Sequence, residues 1–521
     1  MTLNLITDPW IPVRTRDGAR RVVRPDQIAE AGVARPDWPR ADFNLACYEL
    51  LIGLVFLADP PEDEADWRDR RAPDPGRLRA ALAPLAPAFD LGGAGDRFLQ
   101  DREDLDTAAS PVDMLFIDAS GGNTAKNNAD LMVKRGRYTA LPAPLAAMAL
   151  FTLQAQAPSG GAGNRTSMRG GGPLITLVEP ADRAGPDNKA SSPLWDMVWA
   201  NVPVGEPLLD TASPDRLRDA LPWMRPTRTS EKGTNPLQPP NDGGLALAET
   251  FFGMPRRLRL DFAEDDDTLV VGVRQRPYGT NYGLWTHPLT PYYQQKVGSE
   301  PLPVHPRPGI GSYRNWAGIA FEEHEGLRHM AQVVADWHDR GPDGVVASLH
   351  VGGWAMDNMK PLDFLWSRQP LHPLDPDDQH AAAALVSAAN AFSLALAGAV
   401  QTLAKAASMD ASAVEPVREA FYADTQDDFE KMLGRLAAGE TLAKVAQDWV
   451  KTLRRAALRL YDERAVPGLG DRRIEDAQAI IEARQRLLAA FSGWGRKTGQ
   501  AAFDVLKLPL PKRRTKKREE A

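Results

Sequence analysis

From Gln379 to Ala404 the chain carries no Asp, Glu, Lys or Arg. A run of that length must be covered, by lipid or by other parts of the protein, because in water it forfeits the burial free energy of its apolar side chains. Alanine dominates it, and Ser387, Asn390, Ser393 and Gln401 interrupt it. That mixture suits a helix buried among helices, so no membrane partner is expected.

The sequence that follows supplies the helices. Leu442, Val445, Ala446, Trp449, Leu453, Ala456 and Leu460 recur at helical spacing, and Ile474, Ile481 and Leu488 recur at sevens, which reads as a second buried stripe. Breaks fall near Met409-Asp410-Ala411-Ser412, at Gly439-Glu440 and at Pro467-Gly468-Leu469-Gly470. Short connections predict an all-α four-helix bundle over 376–506. After a Leu-Pro-Leu-Pro stop, the run Lys512-Arg513-Arg514-Thr515-Lys516-Lys517-Arg518 makes 507–521 read as a disordered basic tail.

Residues 1–375 read differently. Ile11-Pro12-Val13-Arg14 and Arg21-Val22-Val23 flank Asp17-Gly18, a strong hairpin signal, and an apolar helix is expected from Asp42 to Phe56. From Pro60 to Gly95 frequent proline and glycine predict loops and short helices. Further strands are expected at Leu174–Val178, Arg257–Phe262, Leu269–Val273 and Val345–Val351. The fold class is therefore α+β: a mixed α/β N-terminal domain with short sheets and long loops, followed by the four-helix bundle.

Formal net charge is −7 and the isoelectric point is near 5.7, which excludes a protein that coats nucleic acid by bulk attraction; any such contact must be local. A single cysteine, Cys47, sits in an apolar run, so no internal disulfide forms and a reducing compartment fits. The N-terminus has neither a basic n-region nor a long apolar h-region, and a cytoplasmic location is expected.

Glycine clusters at Ser159-Gly160-Gly161-Ala162-Gly163-Asn164-Arg165-Thr166-Ser167-Met168-Arg169-Gly170-Gly171-Gly172-Pro173. A P-loop would need Gly-Lys-Ser/Thr at its end, and the dinucleotide fingerprint a glycine where Thr166 stands. Two readings remain: a flexible surface loop, or one whose main chain nears phosphates while Arg165 and Arg169 supply charge. His324 and His329 are five apart, about 140° around a helix, so they do not converge on one metal. Asp265-Asp266-Asp267 reads as a solvated hairpin turn, and the other histidines are scattered. No catalytic centre, metal site or cofactor is expected. A glycine-loop nucleotide-binding enzyme stands as the alternative.

Several blocks, taken in order, carry a resemblance: Leu5-Ile6-Thr7-Asp8-Pro9-Trp10-Ile11-Pro12-Val13-Arg14, the glycine cluster, Tyr282-Gly283-Leu284-Trp285-Thr286-His287-Pro288, and Gly352-Gly353-Trp354 with its polar tip. The chain resembles the large subunit (CasA family) of the type I-E CRISPR Cascade over nearly its whole length. That resemblance implies a non-catalytic subunit that reads a short motif beside the target and opens the neighbouring pairs. The implied partners are double-stranded target DNA, guide RNA, the backbone and small subunits, and a helicase-nuclease effector. It places a glycine loop on Gly160, Gly161, Ala162 and Gly163, and a basic finger on Arg276 with Arg274 beside it. It places a wedge on Asn358, flanked by Asp357 and Met359. A further loop toward the guide and a neighbouring subunit falls on Asn127, Asn128, Lys134, Arg135 and Arg137. Arginine stands where the best-known member has a lysine finger, asparagine where it has a glutamine wedge, and Ala162 replaces a loop glycine.

Overall fold

The computed structural model describes residues 2–119, 126–127, 136–161, 163–181, 192–208, 215–231, 234–307, 310–323, 326–341, 345, 347–407, 412 and 414–511. They form two units, one of residues 1–308 and 331–369, the other of 309–330 and 370–521.

The first unit begins with β1 (Ile11–Thr15), β2 (Arg20–Val23) and β3 (Val33–Pro36), an antiparallel sheet of order β2-β1-β3 in which Val13 pairs with Arg21 on one side and Pro36 on the other. The hairpin turns at Asp17-Gly18 as the sequence predicts, with Gly18 at φ +83°. Helix α1 (Ala41–Ala58) follows. It is apolar all round and accordingly buried all round, packing on α2 (Ala143–Gln156) and on the helix Gly243–Phe251. Cys47 is fully buried there, and burial pushes its thiol up to about 12, which leaves it unreactive.

Two further three-stranded sheets position the segments that matter below. One has the order β4-β7-β6, from β4 (Leu141–Pro142), β6 (Arg257–Ala263) and β7 (Asp266–Arg276). Glu264 and Asp265 make the turn between β6 and β7, so of the acidic run read as a hairpin turn only Asp265 lies in it, while Asp266 and Asp267 open β7. The other joins β5 (Ile175–Pro180) to β8 (Ala347–Asp357) and β9 (Lys360–Leu371), in the order β9-β8-β5. An aromatic cluster of Phe89, Phe98, Phe151, Trp223 and Phe252 fills the core nearby, its rings at 5.3–6.3 Å mostly edge to face.

The second unit holds α3 (Pro376–Ala406), α4 (Val414–Ala437), α5 (Leu442–Ala465) and α6 (Ile474–Ala490). Helix α3 starts where the composition changes: Asp375 accepts from Asp378 N at 2.8 Å, and Pro376 occupies the first turn, where its missing N–H costs nothing. By length and composition α1 and α3 are each apolar enough to cross a membrane, yet most of each apolar window is buried inside the protein. Two of the polar interruptions of α3 are bonded within the unit, since Tyr422 Oη lies 2.6 Å from Asn390 Oδ1 and 2.9 Å from Ser393 Oγ, and Trp449 Nε1 donates to Leu385 O at 3.0 Å.

Two further features differ from the sequence reading. Of the stripe Ile474, Ile481, Leu488 the two isoleucines face outward, Ile474 being 83% exposed, and Leu488 is half-buried, while Ile480, Ala483, Leu487 and Ala490 are buried. Spacing identifies a stripe but does not choose which stripe meets the neighbours. Residues 309–330, which composition groups with the first 375, pack with the helices. Tyr313 stacks on Phe429 with centroids 4.3 Å apart, meets Trp449 edge-on and hydrogen-bonds Thr425 Oγ1 at 2.8 Å. At the C-terminus Leu508 N donates to Phe503 O at 2.9 Å, and the basic run 512–518 lies outside the described residues.

Candidate nucleic-acid interface

Helix α2 stops at Gln156 because Pro158 disfavours a helical residue before it, and the glycine loop begins there. The loop closes on itself: Asn164 N donates to Gly161 O at 3.1 Å and Asn164 Nδ2 to Gly160 O at 2.9 Å. Gly160 and Gly161 are exposed, and Ala162 lies outside the described residues. The loop leads into strand β5 and not into a helix N-terminus, the element on which P-loop and dinucleotide sites hold phosphate.

The end of β7 meets this loop. Tyr278 N donates to Gly163 O at 2.6 Å, and Gln275 Nε2 to Asn164 Oδ1 at 3.2 Å. A Cβ on Gly163 would lie 2.7 Å from Pro277 Cβ, so glycine is what allows the two segments to touch. The two arginines on this strand differ. Arg274 Nε is held by both oxygens of Asp261, at 2.9 and 3.0 Å. Arg276 is half-buried and, among the described residues, has no ion-pair or hydrogen-bond partner. Its cross-strand neighbour is Arg257, whose charge is already paired with Asp101 at 2.6 Å and Glu103 at 2.7 Å. Like charges opposite one another are unfavourable, so that pairing is what lets Arg276 remain.

The β8–β9 hairpin arrives from the other side. Its two central turn residues, Asn358 and Met359, have φ +48° and +63°, the left-handed pair of a type I′ turn. Asparagine tolerates that conformation, whereas methionine is strained in it. Asn358 Nδ2 donates to Asp357 Oδ1 at 3.0 Å, and Asp357, Asn358 and Met359 are all exposed. The Met359 side chain reaches the glycine-rich segment at Gly171. Loop, strand end and hairpin tip therefore converge.

Both arginines within the glycine cluster are engaged by the protein itself, Arg169 by a carboxylate and Arg165 by uncharged acceptors only. Arg165 donates to Ser230 Oγ at 2.8 Å and to Ser230 O at 2.7 Å. Arg169 is 2% exposed and paired with Glu49, and His287 Nε2 stands 3.3 Å from the same carboxylate. Leu289 N donates to His287 Nδ1 at 3.1 Å, which leaves the ring proton on Nε2 facing Glu49. Burial, with Arg169 adding to it, pushes His287 down to about 4 against the opposing pull of Glu49. Burial alone would raise the Glu49 carboxyl, but Arg169 and His287 hold it below its ordinary value. The block Tyr282–Pro288 is thus structural: Tyr282 Oη bonds Glu249, Trp285 Nε1 donates to Leu237 O, and His287 closes the buried triad.

One cation that the sequence reading passed over lies under the loop. The Arg256 guanidinium packs on Gly160, its Nη1 2.7 Å from where a Cβ would be, and it donates to Pro158 O. In the further loop, Asn127 and Arg137 are exposed, with Arg137 Cζ 5.3 Å from the Tyr138 ring centroid; Asn128, Lys134 and Arg135 lie outside the described residues. Among the described residues no group of three or more His, Cys, Asp or Glu side chains is placed to hold a metal, and His324 lies outside them. A cavity of about 300 Å³ lies between Arg225, Arg228, Glu249 and Trp285, and no residue of 160–163 lines it.

The family model of CRISPR-associated protein Cse1 matches residues 4–460. The crystal structure of Cse1 from Thermobifida fusca is similar over 97% of this chain and 98% of its own, with TM-score 0.70 and 19% identity. Cse1 from Acidimicrobium ferrooxidans is similar over 97% and 99%, with TM-score 0.66 and 19% identity. A chain of a CRISPR RNA-guided surveillance complex is similar over 94% and 99%, with TM-score 0.66 and 16% identity.

Proposed function

Because the chain belongs to the CRISPR-associated Cse1 family, we propose that it is the non-catalytic large subunit of an RNA-guided surveillance complex of the type I-E Cascade kind. In that role it recognises the protospacer-adjacent motif of double-stranded target DNA through the minor groove, helps open the next base pairs and contributes to recruiting the helicase-nuclease. Guide RNA and the backbone and small subunits are its partners in the cytoplasm, and it uses no cofactor.

The observation that carries this reading is the convergence of loop 160–163, Arg276 and the Asn358 turn. The minor groove is narrow, rich in negative potential and nearly blind to sequence beyond A·T against G·C. A cation inserted there, beside main chain that glycine lets come close, gives affinity with tolerant reading. Arg276 suits the part because entering the groove breaks no existing ion pair. With a formal net charge of −7, the attraction has to come from such local cations.

Opening the duplex costs roughly a few kcal/mol per unstacked step, and a side chain inserted beneath the last held pair offsets part of that. Asn358 stands at the exposed end of a two-residue turn whose backbone is already ordered, so insertion sacrifices little entropy. Guide pairing then proceeds as a near-balanced exchange of duplexes.

The test is a gel-shift selection of the assembled complex on duplexes randomised beside the target. A restricted set of flanking sequences should be retained, and Arg276→Ala should weaken all of them together. Equal retention of every flank by the unaltered complex would overturn the reading.

A further inference from the structure

Three arginines stand at the start of β6, Arg256 just before the strand and Arg257 and Arg259 within it, and the fold treats them unequally. Arg257 has Asp101 and Glu103, and Arg259 has Asp104 at 3.0 Å with Asp101 O at 2.8 Å. Arg256 has no carboxylate among the described residues, although it is only 6% exposed and its Nε finds no acceptor. A buried guanidinium without an anion is costly, and here burial alone pushes it down to about 10.

Its position is nevertheless well determined. Gln154 clamps the Arg256 main chain from α2, accepting from its N–H and donating to its carbonyl, both at 3.0 Å. A Cβ on Gly279, just past the finger, would stand 3.2 Å from Arg256 Cα. The side chain runs under the loop to Gly160 and Pro158 O. A fixed cation is thus held directly beneath exposed glycine main chain, between loop and finger, with its charge unneutralised.

We infer that Arg256 binds a backbone phosphate of the duplex seated on the glycine loop, so that the loop is a cover over a phosphate site as well as a groove-facing edge. This rests on the reading of that loop as a DNA-contacting element. The phosphate supplies the counter-ion that Asp101, Glu103 and Asp104 supply to the neighbouring arginines, and the contact adds affinity without base choice. It also accounts for glycine at 160, where any side chain would displace the guanidinium.

The experiment uses the assembled complex and motif-bearing duplexes in which single phosphates beside the motif are replaced by neutral methylphosphonates. For the unaltered protein one position should cost about tenfold or more in affinity, as loss of a charge-assisted hydrogen bond does. Arg256→Gln keeps a donor for Pro158 O but no charge, and should be indifferent to the replacement at that position. Arg256→Lys should stay sensitive to it. If Arg256→Gln loses the same factor as the unaltered protein at every position, the inference is overturned. A flat scan of the unaltered complex overturns it too, and needs no variant to fold. Motif-dependent binding in those experiments leaves the wider reading standing; loss of motif dependence in the unaltered complex removes both.

Discussion

The sulfur of Met359 lies 2.8 Å from where a Cβ on Gly171 would begin, so the tip of the β8–β9 hairpin rests on the glycine-rich segment with no space for a methyl between them. Pro158 Cα lies at the same 2.8 Å from that point. The turn that carries Asn358 and the start of the glycine loop are thereby held in register by one missing side chain.

Gly171→Ala should therefore displace the hairpin tip and slow strand opening, at an overpacking cost of about 1–3 kcal/mol. Adding Met359→Ala should relieve only part of the defect, because the contact with the Pro158 main chain persists. Fluorescence of a base analogue placed next to the motif reports the opening rate. Full rescue by Met359→Ala, or none, would contradict this account of the contact.

Gly161 and Gly163 should fail differently. At Gly161 the φ of +96° disfavours any side chain but the space is open, whereas at Gly163 a Cβ meets Pro277. Gly163→Ala should then move the finger, and its effect on duplex affinity should be non-additive with Arg276→Ala. Gly161→Ala should add to Arg276→Ala within about 0.5 kcal/mol. A double-mutant cycle on dissociation constants distinguishes the two, and equal coupling in both cycles would sink the distinction.

Capture and opening should separate at Arg276 and Asn358. Arg276→Ala should weaken every motif-bearing duplex and lower the salt slope of binding by about 1. Asn358→Ala should leave capture nearly intact and slow opening. A duplex with mismatched pairs beside the motif lacks the unpairing cost, so it should restore the Asn358 variant and only partly help the Arg276 variant. Equal rescue of both would show the roles to be wrongly divided.

Arg169→Met tests the reassignment of that residue to the core. It strands Glu49 beside His287, and removing one partner of a buried pair costs about 3–5 kcal/mol. Denaturant unfolding should register the loss, while the salt slope of DNA binding by the assembled complex stays unchanged. A lowered slope would return Arg169 to the interface.

The same triad gives stability a pH dependence. His287 titrates near 4 when folded against 6.5 when free, so between those values the unfolded chain takes up a proton that the folded chain refuses. Stability contributed by the neutral ring is complete above pH 6.5 and is lost as pH falls toward 4. Glu49, held below its ordinary value, acts in the same direction at lower pH. Unfolding midpoints for His287→Gln should vary less between pH 6.5 and 4 than those of the unaltered chain.

The alternating strands, the Asp17-Gly18 hairpin and the helix breaks were legible because each is a local property of the sequence. Strand β9 was not: it is the edge of its sheet, mostly half-exposed, and its mixed run with Pro361 and Asp363 has no clean alternation. Loop, finger and tip were found by resemblance, and their contacts lie between distant segments that no spacing rule connects. Arg256 escaped for the same reason. Three arginines in four residues look alike until the fold assigns acids to two of them.

The segment carrying Tyr313 makes the chain indivisible by a single cut. The path passes from one unit to the other after 308, after 330 and again after 369, so a fragment starting at 370 contains all four long helices but not the ring that lies on Phe429 and Trp449. Such a fragment would carry a void worth on the order of 3–5 kcal/mol in the middle of its core. Anyone wishing to isolate the helices must bring residues 309–330 with them, as a second chain or through a rerouted connection.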